Sequence, residues 1–294
     1  MPIVQEPGTH GRASGGDGCR PADGSATASA PSGSAGSEPS AWFRRFRQVP
    51  EPRLRLVCFP PAGGSASLYR TWRRWLPDDI DMLAVQYPGR QDRLNEPCID
   101  TMDLLVTGVA EAFVQFLGLP VAMFGHSMGA SVAHEVASRL EQLPGFTLDT
   151  LFVSARVPPK HIKPRSWDTE DDEALIADIR RLDGVNAAIL DDPDMRALMM
   201  PAIRADYCIA DTYRPRSLAP LGAPVVAYVG DNDPDVSVLQ VRDWCEITDA
   251  GFDVAVFPGG HFYLISAEAE LVHDVVRRLD ATWQADGAPS VPMT

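Results

Sequence analysis

A serine with glycines two residues away on either side, in Gly125-His126-Ser127-Met128-Gly129, is the strongest chemical signal in this chain. The apolar run from Val121 to Phe124 leads into it, and a helical stretch from Met128 to Gln142 leads out. The spacing therefore predicts a strand, a sharp turn at the serine, and a helix. Such a turn strains the serine backbone and leaves no space for side chains at the two glycine positions. The helix start also aims N–H groups and the positive end of its dipole at the reacting centre. Ser127 is the candidate nucleophile.

A nucleophilic serine needs a base. Of the six histidines, His10 lies in a low-complexity leader, and His126 adjoins the serine and points elsewhere. His134 is two turns up the same helix, His161 opens a polar stretch, and His273 is mid-helix. His261 follows the strand-like FDVAVF through Pro258-Gly259-Gly260, on a loop free to reach back to Ser127. The third member is expected at another strand end between these two in chain order. After PVVAYV comes Gly230-Asp231-Asn232-Asp233-Pro234-Asp235. Asp233 is the best placed to hold the histidine tautomer, with Asp231 as the alternative.

Acyl chemistry also needs two donors for an oxyanion. Met128 N–H, following the nucleophile, is one. The other is expected from Pro60-Pro61-Ala62-Gly63-Gly64 after the strand LVCF, and because prolines have no N–H to give, Ala62 is the candidate. No metal site is expected, since the five cysteines include no CxxC pair and no histidine at ligand spacing.

These residues need a scaffold that brings strand ends together. From about residue 53 to 285 short apolar runs alternate with helical ones: 54–59, 82–87, 121–124, 150–153, 224–229 and 252–257 read as strands. Helices are expected over 101–117, 128–142 and 267–281. The fold class is α/β, a doubly wound, mostly parallel sheet buried on both faces, with its site at the carboxyl ends of the strands. Between strands, helices near 169–182 and 193–213 read as a lid spanning about 158–216, with Met195, Met199 and Met200 as adaptable apolar surface. Residues 1–41 are Gly, Ser, Ala and Pro-rich and are expected to be disordered, the domain to span 42–285, and 286–294 to be a flexible tail. No run of ~18 apolar residues and no signal-like N-terminus occurs, so a soluble cytoplasmic protein is expected. A formal charge of −14 excludes nucleic acid as the expected partner.

The sequence resembles the stand-alone type II thioesterases that serve modular polyketide and nonribosomal peptide synthases, over nearly all of residues 42–285. The matching segments are WFRRF, FPPAGGSA, YPGRQDR, GHSMG, SARVPP, GDNDP and GGHFYL. Pro61 stands where that family often has His. The resemblance implies an α/β-hydrolase fold with Ser127, Asp233 and His261 as triad, and Ala62 and Met128 as oxyanion donors. It further implies hydrolysis of acyl groups on the phosphopantetheine arm of acyl or peptidyl carrier proteins, an editing task, with no cofactor of the enzyme's own. A carboxylesterase or acyltransferase on diffusible esters would share the triad and prefer oxygen esters. A non-catalytic binding protein on the same scaffold would have no need to keep the three residues together. The charge is uneven: residues 168–194 hold ten acids against two arginines, and residues 42–93 hold ten arginines against five acids. Arg70, Arg73 and Arg74, or Arg90 and Arg93, are therefore candidates for docking an acidic carrier, with the acidic lid repelling misoriented approach.

Overall fold

The alternation of apolar runs and amphipathic stretches becomes, in the computed structural model, one mixed sheet covered by helices on both faces. The structure describes residues 41–163, 167–182, 187–217 and 219–285, so the expected disordered leader up to residue 40 and the tail 286–294 lie outside the described residues. The strands are β1 (Phe43–Arg44), β2 (Leu54–Phe59), β3 (Ile80–Val85), β4 (Val121–His126), β5 (Leu148–Ser154), β6 (Val225–Gly230) and β7 (Phe252–Phe257). Their order is β1-β3-β2-β4-β5-β6-β7. All pairs are parallel except the short β1, which runs antiparallel to β3 with Phe43 opposite Val85. The helices are α1 (Met102–Phe113), α2 (Met128–Leu140), α3 (Asp172–Arg181), α4 (Pro193–Thr212), the one-turn α5 (Val238–Val241) and α6 (Tyr263–Ser266), and α7 (Glu268–Ala285).

Side chains alternate across the pleat, which divides the core in two. Val57, Phe59, Leu83, Val85, Met123 and Val153 face α1 and α2. Leu56, Cys58, Met82, Ala84, Phe124 and Phe152 face the opposite layer, made by α7 and by Tyr69 and Trp72. Central strands are thus apolar at consecutive positions because both faces are covered. β7 departs from that expectation. It is an edge strand, and Val256 is 46% exposed.

Several boundaries shift for identifiable reasons. The strand expected over 82–87, β3, begins at Ile80, because Asp81 can be buried in the ladder: its carboxylate takes Arg45 at 2.8 Å and Arg55 at 3.1 Å. The helix expected over 101–117 ends at Phe113 and tightens into a 3₁₀ turn over Val114–Phe116. The segment after the Ala62 loop forms two 3₁₀ turns, Ala66–Tyr69 and Trp72–Arg74.

His134 on α2 is buried against Trp244, and neither ring nitrogen has a hydrogen-bond partner. Burial holds its pKa down at about 4. In the unfolded chain an imidazole titrates near ~6.5. Between these values the unfolded state binds the extra proton, so stability present above about pH 6.5 is lost as pH falls toward 4, by on the order of 3 kcal/mol. His134→Leu is expected to flatten the urea-unfolding free energy over this window by close to one proton's slope, leaving the slope due to His126. An unchanged pH slope in the variant would remove His134 as its source.

Candidate active site

The turn between β4 and α2 is built by close approach of backbone to backbone. Ser127 adopts φ 52° and ψ −122°, a conformation that a non-glycine residue takes only at a cost of about 1–3 kcal/mol. A Cβ at Gly125 would run into the Gly129 carbonyl and the Ala130 Cα, and one at Gly129 into the carbonyls of Phe59 and Pro60. With both positions held to hydrogen, the first turn of α2 seats directly on the end of β2. Ser127 N–H donates to Ser154 O at 2.8 Å, fixing the turn to β5 as well.

His261 meets this serine from the loop after β7. Its Nε2 is 3.0 Å from Ser127 Oγ, and its Nδ1 is 2.9 Å from Asp233 Oδ2. An ionised carboxylate can only accept, so Nδ1 carries the proton and Nε2 is left to accept from the serine hydroxyl. The Asp233 side chain is fully buried, and its other oxygen accepts from the N–H groups of Asp235 at 2.8 Å and Val236 at 3.1 Å. Asp231, the alternative, is exposed and is used otherwise: its carboxylate accepts from Gly259 N–H at 2.9 Å, clamping the histidine loop. The Asn232 N–H donates to Gly259 O at 2.9 Å beside it. Gly230 is needed for this clamp, since a Cβ there would meet the carbonyls of Gly259 and Gly260.

Behind His261 lies a chain that the residue types alone did not reveal. Tyr263 Oη is 2.6 Å from Ser154 Oγ, which is 2.9 Å from His126 Nδ1. The His126 ring centroid is 5.4 Å from that of His261. Burial, with a smaller contribution from His261, holds the His126 pKa well below the ordinary imidazole value. The pairing of His126 with Ser154 follows from the β4–β5 register and was findable once the strands were aligned.

Ala62 and Met128 lie with Ser127 on the wall of one cavity of about 1060 Å³. Met128 is the first residue of α2, so its N–H has no intrahelical partner. Helices α3 and α4 roof the cavity, and its apolar lining includes Leu68, Trp167, Ile179, Leu198 and Ile203. Met195 and Met199 line it as expected. Met200 does not: one residue on, it turns from the cavity into a buried cluster with Leu175, Ile176 and Tyr207.

The arginine-rich segment is largely spoken for. Arg90 is buried and paired with Asp206 of α4, and Arg93 is buried, paired with Glu96 and placed 4.4 Å from the Trp42 ring. Neither is open to a partner, which corrects their reading as docking residues. Arg44, Arg45, Arg47, Arg53 and Arg55 are also ion-paired. Arg70, Arg73 and Arg74 are exposed, on the 3₁₀ turns beside the cavity residues Leu68, Thr71 and Trp72. Much of the lid's acidity is likewise matched internally, Asp172 with Arg204, Glu173 with Arg196, Asp178 with Arg181 and Asp191 with Arg180.

Gly129→Ala is expected to destabilise the protein by about 1–3 kcal/mol or more in urea unfolding, since backbone rather than a side chain must yield. Labelling of Ser127 by a fluorophosphonate should slow in parallel. Wild-type stability in this variant would mean that the turn has slack.

A model of the thioesterase domain matches residues 54–282. Thioesterase PikA5 of Streptomyces venezuelae is 41% identical over 249 residues, 84% of this chain and 88% of that protein. Gramicidin S biosynthesis protein GrsT of Aneurinibacillus migulanus is 31% identical over 244 residues, 83% of this chain and 95% of that one. Among solved structures, the type II thioesterase BorB from the borrelidin biosynthetic cluster superposes with a TM-score of 0.76 at 38% identity, covering 83% of this chain and 99% of BorB. With most of its length matched in sequence and in fold, the chain belongs to the thioesterase family, of the type II kind, and is a thioester hydrolase.

Proposed function

We propose that the chain hydrolyses acyl groups held as thioesters on the phosphopantetheine arm of carrier proteins in the cytoplasm, clearing stalled or wrongly primed units from a polyketide or nonribosomal peptide synthase. The observation that carries this reading is the continuous Ser127–His261–Asp233 hydrogen-bond chain at the wall of a large apolar cavity. The likeness to thioesterase PikA5, to BorB of the borrelidin biosynthetic cluster and to the gramicidin S biosynthesis protein GrsT supports the substrate class.

In this mechanism Ser127 Oγ attacks the thioester carbonyl carbon while His261 Nε2 takes its proton. The oxyanion that forms lies against the N–H groups of Ala62 and Met128. Asp233 stabilises the imidazolium, which then gives its proton to the departing thiolate. Water, deprotonated by the same Nε2, attacks the acyl-serine, and the proton passes to Ser127 Oγ as the free acid leaves. The enzyme needs no cofactor of its own in this scheme. The roofed apolar cavity suits varied acyl chains, as an editing role requires. Arg70, Arg73 and Arg74 at its margin provide the basic surface for an acidic carrier, steering more than binding.

Ser127→Ala is expected to lower turnover of an acyl-carrier-protein thioester by roughly 10⁴ to 10⁶ with the fold intact. Retention of a tenth of wild-type activity would sink the mechanism. Asp233→Asn should cost about 10² to 10⁴ in rate and Asp231→Asn much less, so the reverse order would reassign the acid.

For docking, Arg73 and Arg74 are changed to Glu together. Turnover of the carrier substrate should fall, and more at low salt than at high, because a Debye length of ~8 Å screens exposed charges at physiological ionic strength. Turnover of an acyl N-acetylcysteamine thioester should hold. Wild-type rates on both substrates would take these arginines out of the interface, and a preference for oxygen esters would point to an esterase instead.

A further inference from the structure

The loop that carries Ala62 is held from outside the sheet. Asp206, on α4 in the roof, accepts from Gly63 N–H at 2.7 Å, and its two oxygens take Nη1 and Nη2 of Arg90 at 2.5 and 2.9 Å. Arg90 Nη1 also donates to Gly64 O at 3.1 Å. The side chains of Arg90 and Asp206 are 9% and 1% exposed. Beneath them, the Tyr87 ring lies 5.4 Å from the guanidinium, and its hydroxyl donates to Pro60 O at 3.3 Å. Ile203, one turn earlier on α4, packs beside Gly63, so that a Cβ on that glycine would lie 3.2 Å from Ile203 Cγ1.

Stability does not account for this arrangement, because apolar residues of similar volume commonly serve as well as a buried ion pair. What the pair does is join three separate segments: the loop after β2, the loop after β3, and the roof helix. Gly63 has φ 69° in a turn closed by Gly64 N–H on Pro61 O at 2.9 Å. Each peptide unit is planar. With the Gly63 N–H and the Gly64 carbonyl both tied, the neighbouring Ala62 N–H keeps little freedom to swing.

We propose that Asp206 is a positioning residue for thioester hydrolysis: it sets the Ala62 N–H for the oxyanion from the lid side, so that the oxyanion site is complete only while α4 is docked. This rests on the reading of Ala62 and Met128 as the oxyanion donors. Lifting α4 would leave Gly63 N–H without its acceptor and the Arg90 charge without its partner, and the loop would relax. Attack by Ser127 is then supported only when the roof is closed over the acyl chain.

Two double variants isolate the hydrogen-bond acceptor from the ion pair. Arg90→Met/Asp206→Asn removes both charges and keeps a side-chain carbonyl for Gly63 N–H, whereas Arg90→Met/Asp206→Leu removes charges and acceptor alike. On a short acyl N-acetylcysteamine thioester, the leucine pair is expected to lose about 10²-fold in kcat with KM within about threefold. Its affinity for an acyl trifluoromethyl ketone, which forms a tetrahedral oxyanion on serine, should fall by a similar factor. The asparagine pair should regain at least about tenfold of both. Should the leucine pair not fold, amide exchange at Gly63 in the wild-type protein reports the same contact, and should slow about tenfold or more when a long-chain ketone holds the roof down. Equal kcat in both pairs, a loss confined to KM, or exchange at Gly63 unmoved by the ketone would each overturn the proposal. Ser127→Ala is assayed alongside. If it turns over normally, the underlying mechanism fails; if it is inactive beside a fully active leucine pair, only the role of Asp206 fails.

Discussion

The active site depends first on an absence of side chains. Where β4 turns into α2, Gly125 and Gly129 let three stretches of main chain lie in contact: the end of β2, the turn itself and the first turn of the helix. A methyl group at either position would push α2 off the sheet. Because α2 sits on the Phe59 and Pro60 carbonyls, the loop that continues from Pro60 must pass beside the start of that helix. Ala62 and Met128, the proposed oxyanion donors, are therefore brought close together by this junction. Tyr69 and Tyr87 complete this junction, each giving its hydroxyl to one of those two carbonyls. The strained serine is a result of the same contact, over-determined by its surroundings rather than held by any single bond.

The electrostatics behind the site follow a similar economy. A second imidazole, His126, sits beside His261, and two adjacent positive charges would oppose the proton transfer on which the chemistry turns. Burial keeps His126 neutral, and Ser154 and Tyr263 orient it. In the proposed mechanism the imidazolium on His261 thus meets one buried carboxylate and no competing cation from that side.

Much of this was legible in the order of residues. The apolar runs set most strands within two residues, and the elbow, the histidine loop and the acid loop are each strand ends followed by glycine or proline. The choice of Asp233 over Asp231 could be made by reach, but the reason for Asp231 could not: its bond to Gly259 N–H joins two loops that only the β6–β7 pairing brings together. Charge patterning failed most clearly. Counting arginines between 42 and 93 gave a basic surface, yet all but Arg70, Arg73 and Arg74 are ion-paired to acids, several of them far away in the chain, and Arg90 finds its acid 116 residues later. Similarly, the helical period separates Met199 from Met200, but which of the two faces the cavity depends on where α3 lies. The two-residue β1 has no signal of its own; it exists because β3 offers it an edge.

The roof over the cavity comes from one contiguous insertion between β5 and β6, while the proposed nucleophile, base and acid, Ser127, His261 and Asp233, all follow strands of the sheet. The two tasks of the molecule are therefore written largely in different stretches of sequence, with Asp206 of α4 reaching across from one to the other. Away from Asp206 and Ile203, substitutions along α3 and α4 can recut the chamber for a longer, shorter or more branched acyl chain without shifting the reacting atoms. Such a layout favours divergence of specificity in small steps, each confined to one segment.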